Sequence, residues 1–190
     1  MTLNIRAAME AYALACQTAI REMRPRPEMP QTLRGADLTD ADLTGAYLMG
    51  AYLMVANLTR ANLTVANLTD ADLTDADLTG AYLTDANLMG ANLMGANLMG
   101  ADLMGGVTIK DWICVGPIGS RRSQLVLLCG SDGIGHALTG CFRGTLDEFT
   151  AAVEKTHGAN EHGDAYRAAV ALARLRFARL LTPAITAKEA

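Results

Sequence analysis

The side chains best suited to chemistry are few and scattered. His157, Glu161 and His162 fall together in THGANEH. Imidazole and carboxylate groups bind metals and carry protons, but a metal centre needs three or four converging donors. A spacing of five residues across a glycine-containing loop does not define one, so these read as loop and helix-capping residues. Cys141 offers a thiol that His157 could deprotonate, yet nothing near them in sequence supplies an oxyanion hole or an orienting acid. GPIGS (116–120) and GSDGIG (130–135) are glycine turns outside the context of a phosphate-binding loop. The cysteines at 16, 114, 129 and 141 lack Cys-x-x-Cys spacing and read as free thiols of a reducing compartment. The sequence therefore predicts no catalytic residue, no metal site and no cofactor.

Two further sets of side chains could act at a surface. Residues 36–105 hold nine Asp against one cation, Arg60, a net of −8; residues 1–35 and 106–190 contribute +2 each, giving −4 for the chain. Asp70, Asp72, Asp75 and Asp77 are the densest group. Read from the residues alone, such carboxylates form turns and solubilise. The second set is Met49, Met54, Met89, Met94, Met99 and Met104, with Tyr47 and Tyr52 beside the first two. Together they would make an apolar patch that needs cover. The flanks of the chain predict that cover, with the N-terminal helix over Met49 and Met54 and the C-terminal residues over the rest; a second molecule is the alternative. Arg167, Arg174, Arg176 and Arg179 read as a solvated strip, since their region carries only +2.

What must position these groups is a repeat. From Ala36 the chain reads ADLTD ADLTG AYLMG AYLMV and onward to ADLMG, 14 blocks of five filling 36–105 without a slip. QTLRG at 31–35 keeps only Leu33 in register. In an α-helix five residues advance a net ~140°, so the Leu positions would spread around the cylinder. In a continuous strand an odd period sends successive Leu to opposite faces. The pattern works only if the chain turns inside every block, which the Asp, Asn and Gly at the variable positions favour.

This pattern resembles the pentapeptide repeat family, whose motif is A-(D/N)-L-x-x, over 70 of 190 residues. The resemblance implies a right-handed quadrilateral parallel β-helix, with four blocks to a square coil. It assigns the central core residue to Leu38, Leu43, Leu48, Leu53, Leu58, Leu63, Leu68, Leu73, Leu78, Leu83, Leu88, Leu93, Leu98 and Leu103, and the small inward residue to Ala36, Ala41 and onward to Ala101. Tyr47, Tyr52 and Tyr82 depart from the favoured Asp or Asn. Fourteen blocks make 3.5 coils, a rod of about 17 Å at roughly 4.8 Å per coil. Some family members that act on DNA gyrase are thought to imitate duplex DNA with a much longer acidic rod. This one would span roughly five base pairs, at about 1.7 Å of axis per phosphate charge. Every fourth block, Asp37, Asn57, Asp77 and Asn97 alternate, which limits like-charge stacking. The resemblance also implies a homodimer through terminal regions.

Stacked coils expose backbone edges at both ends, and such ends need caps. Residues 3–23 predict an amphipathic helix on Ile5, Met9, Tyr12, Cys16, Ala19 or Ile20, and Met23, ended by Pro25, Pro27 and Pro30. After Gly105-Gly106, VTIKDWICVG is β-rich, and SQLVLLCG and IGHALTGCF flank Ser131-Asp132-Gly133 as a hairpin. Thr145 and Glu148 form a capping-box pattern opening a helix with Phe149, Ala152 and Val153 inward and Gly158 at its end. A second helix runs from about Ala165 to Leu181, with Tyr166, Val170, Ala173, Phe177 and Leu180 in line, and Pro183 stops it. Three regions follow: 1–30, a helical cap with a Pro-rich approach; 31–106, the repeat β-helix; and 107–190, a β-hairpin plus two-helix module.

Composition excludes several classes. Hydrophobic residues at 51% and charged residues at 19% argue against wholesale disorder. A pI of about 5.3 argues against direct nucleic-acid binding. No run of 18 apolar residues spans a membrane, and the N-terminus lacks a signal-peptide core, which predicts a cytoplasmic protein. The reading is a mainly β, non-catalytic scaffold that presents a rigid surface to an unidentified protein partner. The alternative is a DNA-mimic modulator of DNA gyrase or topoisomerase. Asp70, Asp72, Asp75, Asp77, Met89, Met94, Met99 and Met104 are the candidate interaction surface.

Overall fold

The computed structural model describes residues 5–23, 28–29, 33–103, 105–118, 123–139 and 142–181. Pro25, Pro27, Pro30, Met104, Cys141 and Pro183, named above, lie outside them. The order is α1 (Ile5–Arg21), the repeat array, β1 (Ile109–Ile118), β2 (Ser123–Gly130), β3 (Gly135–Thr139), β4 (Phe142–Thr145), α2 (Leu146–His157) and α3 (Glu161–Phe177).

Every block of the array makes one turn. The Ala N–H opening a block donates to the Leu carbonyl three residues back, as from Ala41 to Leu38 at 3.1 Å. The block's fifth residue lies at positive φ throughout: 57° at Asp40, 66° at Gly45, 58° at Val55 and 55° at Arg60. A turn with its third residue in the left-handed region demands this, and Gly and Asp accept it far more readily than Val. Where it is Asp or Asn, the second residue locks the turn. Its Oδ1 accepts the N–H two residues on, at 3.1 Å in both the Asp37–Thr39 and Asn57–Thr59 pairs.

Four turns close a coil. Each second residue pairs in parallel with the one 20 positions on, as in Asp37 with Asn57, Asn57 with Asp77, and Asp77 with Asn97. Leu38 N–H donates to Asn57 O at 2.8 Å, Asp40 N–H to Thr59 O at 2.9 Å, and Asn57 N–H to Ala36 O at 2.9 Å. Pairing is one residue wide because turn follows turn. Among the described residues, extended strands therefore begin only at Ile109. Leu and Ala fill the rod. Thirteen of the fourteen repeat Leu are fully enclosed, each contributing on the order of 1.5–3 kcal/mol gross. Leu88, in the last coil, is only half-buried.

Both ends are covered by the chain itself. α1 lays Met9, Tyr12, Ala13 and Cys16 into the same core as Leu33 and the first coil. The C-terminal region is a four-stranded antiparallel meander rather than a lone hairpin, because Phe142–Thr145 returns as a fourth strand beside β3. Its second strand has two apolar faces. Val126 and Leu128 join the rod core, while Leu125, Leu127 and Cys129 join Phe149, Tyr166 and Phe177 under α2 and α3. The sheet is thus the middle layer between rod and helices. The Thr145–Glu148 capping box is formed, with Glu148 N–H donating to Thr145 Oγ1 at 3.2 Å and Thr145 N–H to Glu148 Oε2 at 2.8 Å. α3 starts four residues earlier than its apolar pattern suggests, since Asn160 caps it through Gly163 N–H at 2.9 Å. Leu180 lies past the helix end and is exposed.

Candidate interaction surface

The four clustered aspartates do not form one patch. A coil turns at every block, so neighbours in sequence lie on successive faces. Asp72 and Asp77 are half-buried turn acceptors: each Oδ1 takes the N–H and hydroxyl of the Thr two residues on, at 3.1 and 2.6 Å for Asp72 and 2.9 and 2.5 Å for Asp77. Asp70 and Asp75 sit at left-handed corners. Their carboxylates lie over Gly90 and Gly95, where an added Cβ would collide with them. With a stack of 20 residues, the neighbours above and below these four are Gly, Tyr, Asn or Val, never another carboxylate. The one ion pair within the stack is Asp40 with Arg60, bidentate at 2.7 Å to each oxygen. That guanidinium holds the Asp40 carboxyl below the usual carboxylate range. Thr39 does the same for Asp37, through its hydroxyl and its N–H.

The methionines remain largely uncovered, contrary to the predicted role of the flanks. Met49, Met89, Met94 and Met99 are 43–56% exposed, and Met54 is half-buried. The reason is geometric. α1 and the sheet close the ends of the rod, while the residue after Leu points sideways from it. Met89, Met94 and Met99 occupy three different faces of the last coil, and Thr69 separates Met49 from Met89 in their shared stack. On the first coil, by contrast, Met49, Tyr52 and Val55 are exposed on consecutive blocks.

Sequence periodicity missed the side chains that finish the coil edges. At the first coil Tyr12 Oη donates to Tyr47 O at 2.6 Å, Gln17 donates to Thr44 O, Asp42 N–H donates to Glu10 at 3.2 Å, and Arg6 donates to Asp40 O at 2.9 Å. At the last coil Gly100 N–H donates to Ile109 O at 2.8 Å and Ile109 N–H to Ala101 O at 2.9 Å. Gln124 accepts Leu93 N–H at 2.8 Å and donates to Asn92 Oδ1 at 2.6 Å. Arg143 donates to Ala86 O at 3.0 Å and Leu103 O at 3.3 Å. One signal was available: Gln124 is the polar residue on the alternating face that Val126 and Leu128 make apolar.

The other candidates have structural partners. The His157 and His162 rings meet edge to face at 6.0 Å, and His157 also packs on Tyr166. Among the described residues no three metal-ligating side chains converge. Burial pushes the Cys114 and Cys129 thiols up, away from the reactive thiolate. Arg167, Arg174 and Arg176 pair with Glu154 and Asp164, Asp147, and Asp111 respectively. Among the described residues no helix is long and apolar enough to cross a membrane.

Twenty-residue coils with inward Leu and Ala, closed at both ends, define a capped solenoid repeat protein. Residues 33–70 and 66–105 match the family model for pentapeptide repeats, in eight copies, and the repeat segment belongs to that family. Similar solved structures include the following three. A pentapeptide repeat protein from the Arabidopsis thaliana thylakoid lumen is 37% identical over 41% of this chain and 55% of its own, with a TM-score of 0.40. One from Nostoc PCC 7120 is 49% identical over 36% and 57%, with a TM-score of 0.36. HetL, a pentapeptide repeat protein involved in heterocyst differentiation regulation from the cyanobacterium Nostoc sp. strain PCC 7120, is 36% identical over 40% and 39%, with a TM-score of 0.23. The chain thus spans little more than half the length of the first two. No curated protein matches the chain.

Proposed function

We propose that this chain is a non-catalytic protein-interaction scaffold built on a right-handed quadrilateral pentapeptide-repeat solenoid. The observation that carries this reading is the exposed apolar side chains of the first coil. Met49, Tyr52 and Val55 are exposed on consecutive blocks although their own stacks hold polar or small alternatives: Thr69, Asp72 and Asn92, and Asp75 and Gly95. The fold does not need these side chains there, and exposed apolar groups with no packing role point to an interaction surface. The partner is a protein, either another chain or a second copy of this one. The acidic residues are dispersed around the rod and separated by neutral neighbours, so charge imitation of DNA gains no support from the arrangement.

The test is a triple variant, Met49→Thr, Tyr52→Asn and Val55→Gly, which borrows residue types from the same stacks. Full-length protein is expected to retain a partner, or to dimerise, and the folded variant to do neither. Equal retention by both proteins would move the site off these residues. Retention by residues 107–190 alone would place the function in the C-terminal region.

A further inference from the structure

We infer that the junction between the last coil and the sheet is a binding site for a small carboxylate with a compact apolar body. One face of the rod is left half-finished there. One coil earlier, Leu68 N–H donates to Asn87 O at 2.8 Å and Asp70 N–H to Met89 O at 2.9 Å. Their counterparts, the N–H groups of Leu88 and Gly90, belong to the last coil and have no coil beyond them. They have no partner among the described residues. The matching acceptor on this face, Ala86 O, is taken by Arg143 at 3.0 Å. No carboxylate pairs with Arg143 among the described residues; its bonds go to the carbonyls of Ala86 and Leu103.

These groups border a cavity of about 190 Å³ whose apolar wall includes Leu88, Leu93, Leu98, Val126, Leu138 and Phe142. An apolar cavity of about 150 Å³ accepts benzene, so a single ring fits this one. The two N–H donors offer hydrogen bonds to an acceptor, and a guanidinium bordering the same cavity favours a charged carboxylate over a neutral isostere. One anion opposes it: the Asp70 carboxylate lies against Gly90.

The experiment titrates full-length ¹⁵N-labelled protein with benzoate and, separately, benzamide, following the Leu88 and Gly90 amides. Benzoate is expected to shift both saturably and to bind roughly tenfold or more tightly than benzamide, the usual scale for a charge-assisted pair. Arg143→Gln should erase that preference, and Asp70→Asn should strengthen benzoate binding while leaving benzamide unchanged. No saturable shift at these amides, equal binding of the two probes, or an unchanged preference in folded Arg143→Gln would each overturn the site. Should Arg143→Gln fail to fold, the ratio in the wild type and its rise in Asp70→Asn decide the matter.

Discussion

The first coil is closed by a helix and the last by a sheet, and the two closures differ in kind. A helix spends its backbone hydrogen bonds on itself, so α1 can reach the coil only with side chains, those of Arg6, Glu10, Tyr12 and Gln17. A strand keeps a free edge. β1 therefore continues the ladder directly, Ile109 pairing with Gly100 and Ala101, before turning away into the meander. Departure at one face leaves the others to single side chains, Gln124 and Arg143, and leaves the N–H groups of Leu88 and Gly90, like those of Gly95 and Leu98, without an acceptor among the described residues. The helix seals the coil beneath it, while the sheet seals part of its coil and leaves a cavity. The comparison teaches that a repeat needs no individual residues to propagate, but each of its ends does.

The largest effect should separate the two closures. Leu33 is buried under α1 and Leu88 is half-buried beside the cavity. Leu33→Ala is expected to cost about 2–5 kcal/mol, the range for a fully enclosed Leu. Leu88→Ala should cost about 1 kcal/mol, since less area leaves water and the wall is already incomplete. Chemical denaturation of both variants measures the gap. Equal losses would show that the two ends are closed alike.

Next come the capping amides. Gln124→Ala strands the Leu93 N–H at a part-buried position, a loss of about 1–3 kcal/mol, whereas Gln17 is exposed and water can replace it in Gln17→Ala, for about 0.5 kcal/mol. The same denaturation series reads both. A larger loss at Gln17 would show that water does not replace the amide at the first coil.

The body of the rod supplies the control. Val65 holds a φ of 54° and is more than half exposed, so its β-branched side chain strains the backbone without a packing return. Val65→Gly relieves that strain but adds freedom to the unfolded chain, leaving a net gain of roughly 0.5 kcal/mol. A loss instead would show that Val65 packs in a way its exposure does not reveal.

These contrasts also explain what could be read in advance. Period five excludes a simple helix or strand, and the regularity of Ala and Leu exposes the core directly, because every coil repeats the same steric problem. The capping box and the Ser131–Gly133 turn were legible as local chemistry. The closures were not. Tyr12 reads as one more apolar position of α1, and nothing in the sequence singles out Arg143, until the coil edge they serve is in view. The aspartates misled for the same reason: adjacency along the chain becomes dispersion once every block turns.

The smallest expected effect concerns acid, and it too falls unequally on the ends. Asp37 and Asp40, both in the first coil, are held below the usual carboxylate range, by Thr39 and by Arg60 respectively. A carboxyl with a lowered folded-state pKa contributes stability that is complete above its unfolded value, about 4, and is lost as pH falls through the folded value. The carboxylates lie at the surface, so the contribution is screened and modest. Among the described residues no ion pair holds the last coil, which is closed mainly by backbone, amide and guanidinium groups, with the Asp102 carboxylate accepting the Gly106 N–H at 2.6 Å. Acidification below pH 4 should therefore raise amide exchange in residues 36–55 before residues 86–103. Asp37→Asn with Asp40→Asn should remove that order, with the variant slightly less stable than wild type at neutral pH and equal to it once both carboxyls would be protonated. If the last coil loosens first in the wild type, its closure depends on a titrating group, and the contrast between side-chain and sheet closure would have to be drawn around that group instead.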